Sequence, residues 1–357
     1  MNLQVISTLQ DRTQTCSYCP KLCRPACPVA TVEGNDAHSA WGLMNALDDV
    51  TMGRAEMDAT LTDAVYACTG CGACRAHCEL DIDVVGTVLS ARADARRNSV
   101  STDKTQAVRE SLAKRSARVS RREHNVGRVA RAGEVVLLVG CSDRSGASLR
   151  SLEPLLSKWL GVSVWLAEDL CCGMPWREAG ELQESSQHLA ALAERMKDAS
   201  ELVALDAGCT GFLKTEARDP MPRVVSSAVF WERVLARAEL PDFTGESLAI
   251  HDSCRTGRAL GIFAEPRNVI AKITGRSPIE LRASKRESLC SGGGGLLPLT
   301  YPNTADAMTR ELAGLVRESG ASRVVVGCST TQARLTREGI KAMTLERLLV
   351  EWLVGPA

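Results

Sequence analysis

The chain has 357 residues, 45% hydrophobic and 24% charged, a composition of ordinary globular proteins and a length beyond one usual core, so two or three domains are expected. Its 43 basic and 43 acidic residues cancel, which builds in no long-range attraction to phosphate and argues against a nucleic-acid partner. No apolar run reaches the roughly 20 residues that span a bilayer, and the opening MNLQVISTLQDRTQTC lacks the basic-then-apolar pattern of an export signal, so a cytoplasmic protein is expected.

Fifteen cysteines in such a chain favour reduced, metal-holding thiols over a disulfide framework, which belongs to small secreted domains. Residues 1 to 15 read as an entry segment. The first cysteine run follows, Cys16-x2-Cys19-x3-Cys23-x3-Cys27-Pro28, and the second is Cys68-x2-Cys71-x2-Cys74-x3-Cys78, closed by Glu79. Four thiols within a dozen residues suit iron–sulfur ligation, because a cubane needs four thiolates converging on it; two zinc sites are the alternative. Similarity to two-cluster ferredoxins, in which the fourth cysteine of each run serves the other cluster, implies crossed sets. Cys16, Cys19, Cys23 and Cys78 would hold one [4Fe–4S] cluster, and Cys68, Cys71, Cys74 and Cys27 the other. About forty residues separate the runs, with WGLMNALDD and MDATLTDAVYA at helical spacing. An α-helical ferredoxin domain over residues 1–90 is therefore expected, with Trp41, Met44 and Leu47 in the core around the clusters.

A helical stretch over 91–133 comes next, with twelve Lys or Arg against four Asp or Glu between Arg92 and Arg131. It reads either as a solvated linker or as a docking surface for an acidic partner or anionic headgroups, hence peripheral membrane contact. Its weak apolar stripe is Val108, Leu112 and Val119.

A repeated module begins near Glu134. Strand-like VVLLVG leads to Cys141, VSVWLAEDL to Cys171-Cys172-Gly173, and LVALDAG to Cys209; SLAIHDS then leads to Cys254, the stretch before SGGGG to Cys290-Ser291, and SRVVVG to Cys328. Corresponding cysteines lie 113, 119 and 119 residues apart (141 to 254, 171 to 290, 209 to 328), which marks a duplication. Helical stretches between the strands argue two parallel α/β modules, 134–243 and 244–357. Each cysteine is expected just past the carboxyl end of a strand, the edge at which open α/β sheets bind ligands.

CCG, HDSCRTGR, CSGGGG and the cysteine-rich N-terminus together resemble the CCG-domain (cysteine-rich domain) iron–sulfur proteins, such as the iron–sulfur subunit of glycolate oxidase and the D-type subunit of heterodisulfide reductase. The resemblance covers the chain from about residue 14. It implies a metal or a further cluster in the modules, held by Cys141, Cys171, Cys172 and Cys209 in the first and by Cys254, Cys290 and Cys328 in the second. A complete module has a lone Cys, a Cys-Cys pair and a terminal Cys-x-x-Cys. Here Asp206 and Val325 replace the first cysteine of each terminal pair, and Ser291 stands in the second Cys-Cys pair. Four thiols in the first module suffice for a [4Fe–4S] cluster or zinc; the second would need Ser291, His251, Asp252 or an outside ligand, or is a decayed site. Arg255 and Arg258 support bound anions or form surface ion pairs. Gly173 would let the backbone approach the cluster, and Gly292 to Gly295 would form a cluster-binding turn.

No nucleophile elbow, P-loop or dinucleotide fingerprint is found, and no catalytic residue is assigned. The resemblance implies an electron-transfer subunit of a flavin-dependent dehydrogenase complex acting on a 2-hydroxy acid. It would relay electrons from a flavoprotein dehydrogenase subunit or electron-transfer flavoprotein to a quinone, cytochrome or thiol acceptor. A disulfide or heterodisulfide reductase subunit and a zinc-stapled interaction scaffold are the alternatives.

Overall fold

The computed structural model describes residues 3, 5–123, 128–140, 149–168, 170–237 and 246–354; Cys141 lies outside them. The chain divides into two compact units. One holds residues 1–116, 175–185 and 289–312, the other 117–174, 186–288 and 313–357.

The first unit is helical. Helix Ala40–Thr51 starts at Ser39, whose hydroxyl accepts from the Gly42 amide, and buries Ala40, Leu43, Met44 and Leu47 on one face, the i, i+3, i+4, i+7 pattern of an amphipathic helix. It packs on helices Gln10–Ser17 and Val84–Arg97. The latter begins at Asp83, whose carboxylate caps the Gly86 amide, and buries Val84, Val88, Ala91 and Ala95. Arg92 on that same face is wholly buried, although the sequence places it at the start of a basic, solvated stretch. Helix Asp103–Glu123 follows, and its stripe of Val108, Leu112 and Val119 is buried.

The second unit contains two four-stranded parallel sheets of the same strand order. In the first, β1 (Val135–Leu138), β2 (Val164–Ala167), β3 (Glu201–Ala204) and β4 (Val224–Ser226) are arranged β2-β1-β3-β4. In the second, β5 (Leu248–His251), β6 (Ile279–Glu280), β7 (Arg323–Val326) and β8 (Ala342–Thr344) repeat it as β6-β5-β7-β8. The duplication in cysteine spacing is thus a duplication of topology. Val135 and Leu137 face a core that also takes Leu248, Ile250 and Val325 of the second sheet. Val136 and Leu138 face a separate core with Trp165, Leu202 and Phe212, so β1 is buried on both faces, as parallel strands between helices are.

Two features differ from expectation. Each module has a further strand, β4 and β8, only three residues long; so short a run carries no readable periodicity. Strand β6 is two residues long and ends at Glu280, ten positions before Cys290, so Cys290 does not directly follow its strand. Among the described residues no helix is long and apolar enough to cross a membrane.

Candidate metal centres

In the first unit the eight cysteines of the two runs gather around two cavities, each with an empty volume of about 380 Å3. The first cavity is lined by Cys16, Cys19, Cys23, Cys74 and Cys78 together with Trp41, Leu80 and Ile82. The second is lined by Cys27, Cys68, Cys71 and Cys74 with Val29, His38 and Leu43. Ala40, Cys74 and Val84 face both.

Local backbone chemistry produces this convergence. Cys16 ends helix Gln10–Ser17, and the Cys19 amide donates back to its carbonyl (3.2 Å). Cys27 is the residue before helix Pro28–Glu33, which starts with Pro28 in the first turn, where a missing N–H costs nothing. In the second run Gly70 and Gly72 both take left-handed backbone (φ 67° and 68°), which only glycine adopts freely. They fold Cys68, Cys71 and Cys74 round one side, and the Gly70 amide lies 3.4 Å from Cys68 Sγ as a donor to sulfur.

The electrostatics separate the thiols along the same lines. Burial, then the charges of Cys23, Cys78 and Cys19, push the Cys16 thiol to about 12. Burial and then Cys19 and Cys78 raise Cys23. Cys27 is driven to about 12 by burial, with Cys71 and Cys68 as its charged neighbours. Cys74, which faces both cavities, lies well above the usual thiol value for burial first, then Cys71, Cys68 and Cys27, and last Cys23 of the first cavity. Four thiols so placed cannot all ionise without a cation among them.

The residues fit iron–sulfur clusters. Thiols dominate the donors, and the walls are otherwise mostly apolar, with Thr15 on the first and His38 and Thr69 on the second. The indole Nε1 of Trp41, on the wall of the first cavity, is buried with no hydrogen-bond partner among the described residues. These thiols surround the two cavities.

The sheet unit is different. Cys171, Cys172 and Cys209 are buried, and Cys172 Sγ lies 3.4 Å from Cys209 Sγ. Gly173 takes φ 92°, so the turn after the cysteine pair requires glycine. Asp206 caps two helices. One carboxylate oxygen accepts from the Gly208 amide (2.8 Å), and the other accepts from the Ser329 amide (2.9 Å) and hydroxyl (2.7 Å). Asp252 is likewise engaged, in a bidentate pair with Arg267 (2.7 and 2.8 Å) and with the Lys285 amide (2.6 Å). Both carboxylates are thus engaged within the sheet unit.

Cys254 and Cys328 belong to the sheet unit, whereas Cys290 and Ser291 belong to the first. Burial, then the Asp206 carboxylate and Cys254, push the Cys328 thiol to about 12. The Ser291 carbonyl accepts from the Thr309 hydroxyl (2.9 Å). Arg258 donates to the Arg286 and Ser288 carbonyls, pinning a loop. His251 is buried at the end of β5 and lines, with Asp252, Ser253, Thr256 and Gly327, a cleft of about 500 Å3. That cleft opens outside the carboxyl ends of β5 and β7, where the strand order reverses, the position expected for ligands in open α/β sheets.

Sequence reasoning missed Arg92. It falls four residues after Val88 and eight after Val84 on the apolar face of its helix, so a charged residue in a helical core stripe was the available signal.

Comparison with known proteins accords with this arrangement. Residues 12–82 match the 4Fe-4S dicluster domain family and residues 248–336 the cysteine-rich (CCG) domain family. The chain is 23% identical over 284 residues to an iron–sulfur protein of Methanococcus maripaludis, covering 74% of this chain and 55% of the relative. It is 24% identical over 207 residues to lactate utilization protein A of Oceanobacillus iheyensis, covering 51% of this chain and 82% of that one. It is 22% identical over 324 residues to the D-type subunit of the dihydromethanophenazine:CoB–CoM heterodisulfide reductase of Methanosarcina barkeri, covering 81% and 77%. The chain spans about half the length of the M. maripaludis relative.

Proposed function

We propose that this chain, which belongs to the iron–sulfur proteins that join a 4Fe-4S dicluster domain to cysteine-rich CCG domains, is an electron-transfer subunit of a flavin-dependent dehydrogenase complex. The organic substrate, a 2-hydroxy acid such as lactate or glycolate, would be oxidised on a flavoprotein partner. A quinone, cytochrome or thiol compound would be the final acceptor. Lactate utilization protein A and a heterodisulfide reductase subunit among the relatives support a place in such complexes.

The observation that carries this reading is the pair of neighbouring thiol-lined cavities with a shared wall. Cys16, Cys19, Cys23 and Cys78 would hold one [4Fe–4S] cluster; Cys27, Cys68, Cys71 and Cys74 would hold the other. Clusters bound there supply reversible one-electron exchange. The chain's own residues do the rest. Val29, Leu43 and Ile82 place apolar surface beside the sulfurs, and the Gly70 amide donates towards Cys68 Sγ, both of which tune potential. Cys171, Cys172 and Cys209, with Cys141, are proposed to hold a further iron–sulfur cluster or zinc in the first module, and Cys254 and Cys328 are proposed as metal ligands in the second.

Anaerobic purification, metal and sulfide analysis, and EPR after dithionite reduction test the proposal. About eight irons for the dicluster domain, plus any held by the modules, are expected. Stoichiometric zinc without iron would overturn it in favour of a zinc-stapled scaffold.

A further inference from the structure

Three stretches far apart in sequence meet at one buried guanidinium in the first unit. Among the described residues, Arg92 donates to four backbone carbonyls. Its Nε and one terminal nitrogen donate to Val65 (3.0 and 2.8 Å), that same nitrogen to Cys68 (2.7 Å), and the other to Glu178 (2.8 Å) and Gly295 (3.0 Å). The Gly295 amide returns to the Glu178 carboxylate (3.3 Å).

The backbones meet so closely that side chains are excluded. A Cβ on Gly295 (φ 62°) would lie 2.2 Å from the Cys68 carbonyl oxygen, and one on Gly180 (φ 83°) would lie 2.6 Å from the carbonyl of Arg92 itself. The Tyr66 ring closes the site, 4.7 Å from the guanidinium, with its hydroxyl donating to the Ala179 carbonyl (2.7 Å).

Arg92 therefore ties the Cys68 loop, on the wall of the second cavity, to the segment that follows the Cys171-Cys172 pair and to the segment that begins at Cys290. A guanidinium keeps its proton, so the charge is permanent. Such a charge close to one cluster favours that cluster's reduced, more negative state, while its five-donor fork fixes carbonyls that a point charge would hold loosely.

We infer that Arg92 is a positioning residue at the electron exit of the dicluster domain, setting the approach of the Cys290 segment to Cys68 and raising the potential of the cluster held by Cys27, Cys68, Cys71 and Cys74. This rests on the proposed cluster assignment.

The test uses the full chain, loaded anaerobically, as wild type, Arg92→Met and Arg92→Lys. In R92M, one of the two cubane signals should titrate lower by at least tenfold in its reduction equilibrium, about 59 mV for one electron, with the other unmoved. Amide exchange over residues 289–300 should quicken tenfold or more. R92K should keep the potential, because it keeps the charge, yet show the faster exchange, because it loses the fork. Unchanged potential and exchange in R92M, or equal shifts of both clusters, would overturn the inference. Should R92M fail to fold, wild-type exchange in R92K overturns it and quickened exchange supports it. A wild type that takes up no iron overturns the proposed function instead, and exchange in the variants then decides the positioning role alone.

Discussion

Asp206 caps helices Ala207–Glu216 and Ser329–Arg337 with its two oxygens. A carboxylate at a helix start accepts orphan amides and meets the positive end of the dipole. The side chain thus forms a clasp between the loops after β3 and β7, which the Ala207 amide reinforces by donating to the Gly327 carbonyl (3.0 Å). Asp206→Ala is expected to cost about 1–3 kcal/mol, read as a lowered urea midpoint, with iron in the dicluster domain unchanged. Loss of metal from the sheet unit without a matching loss of stability would show that Asp206 acts on metal after all.

At the scale of single elements, β7 is anchored at its first residue. Arg323 meets the Glu246 carboxylate just before β5 and Glu351 on the final helix, Leu345–Val354, and Arg347 adds a bond to Glu351 (2.9 Å). Burial raises both carboxyls, but hydrogen bonds from Arg323, with Ser322 on Glu246 and Arg347 on Glu351, outweigh it and hold them below the usual value. Carboxyls depressed in the folded state contribute stability above their unfolded value of about 4.3, and that contribution is lost as pH falls through the folded values. The denaturation midpoint of the sheet unit should therefore be insensitive to these groups near neutrality and drop on acidification below about pH 4.5. In Arg323→Met this part of the acid sensitivity should shrink, with the remainder carried by Ser322 and Arg347. Element type was legible where burial is one-sided or complete. VVLL and RVVV are apolar runs between helical stretches, and WGLMNALDD shows its stripe. The three-residue edge strands and the true end of β6 were not legible, because their positions come from pairing with longer neighbours and not from their own residues.

Across the whole molecule, the cysteine runs and the duplication were readable because ligand spacing and repeat period are properties of the chain itself. The partners of the buried Arg92 and the engagement of Asp206 and Asp252 were not, because they depend on carbonyls, amides and side chains brought from tens to hundreds of positions away. Pairwise substitution addresses the arrangement of the eight thiols directly. Cys16→Ser and Cys78→Ser should weaken the same cluster signal, and Cys27→Ser and Cys68→Ser the other, although Cys78 and Cys68 share a run. Cys78→Ser weakening the signal lost in Cys68→Ser would restore uncrossed sets. Total iron with four-iron steps in these variants provides the parallel count.

The wall of Ala40, Cys74 and Val84 that faces both cavities has a consequence for damage. A side chain that leans on two occupied sites loses support on one flank when either empties, and Cys74 then stands open to water and oxidant from the vacated side. Air should therefore bleach the visible absorbance of the protein in one concerted phase, the second site failing almost as soon as the first. Enlarging the partition with Ala40→Val, where it can be accommodated, should split that decay into two.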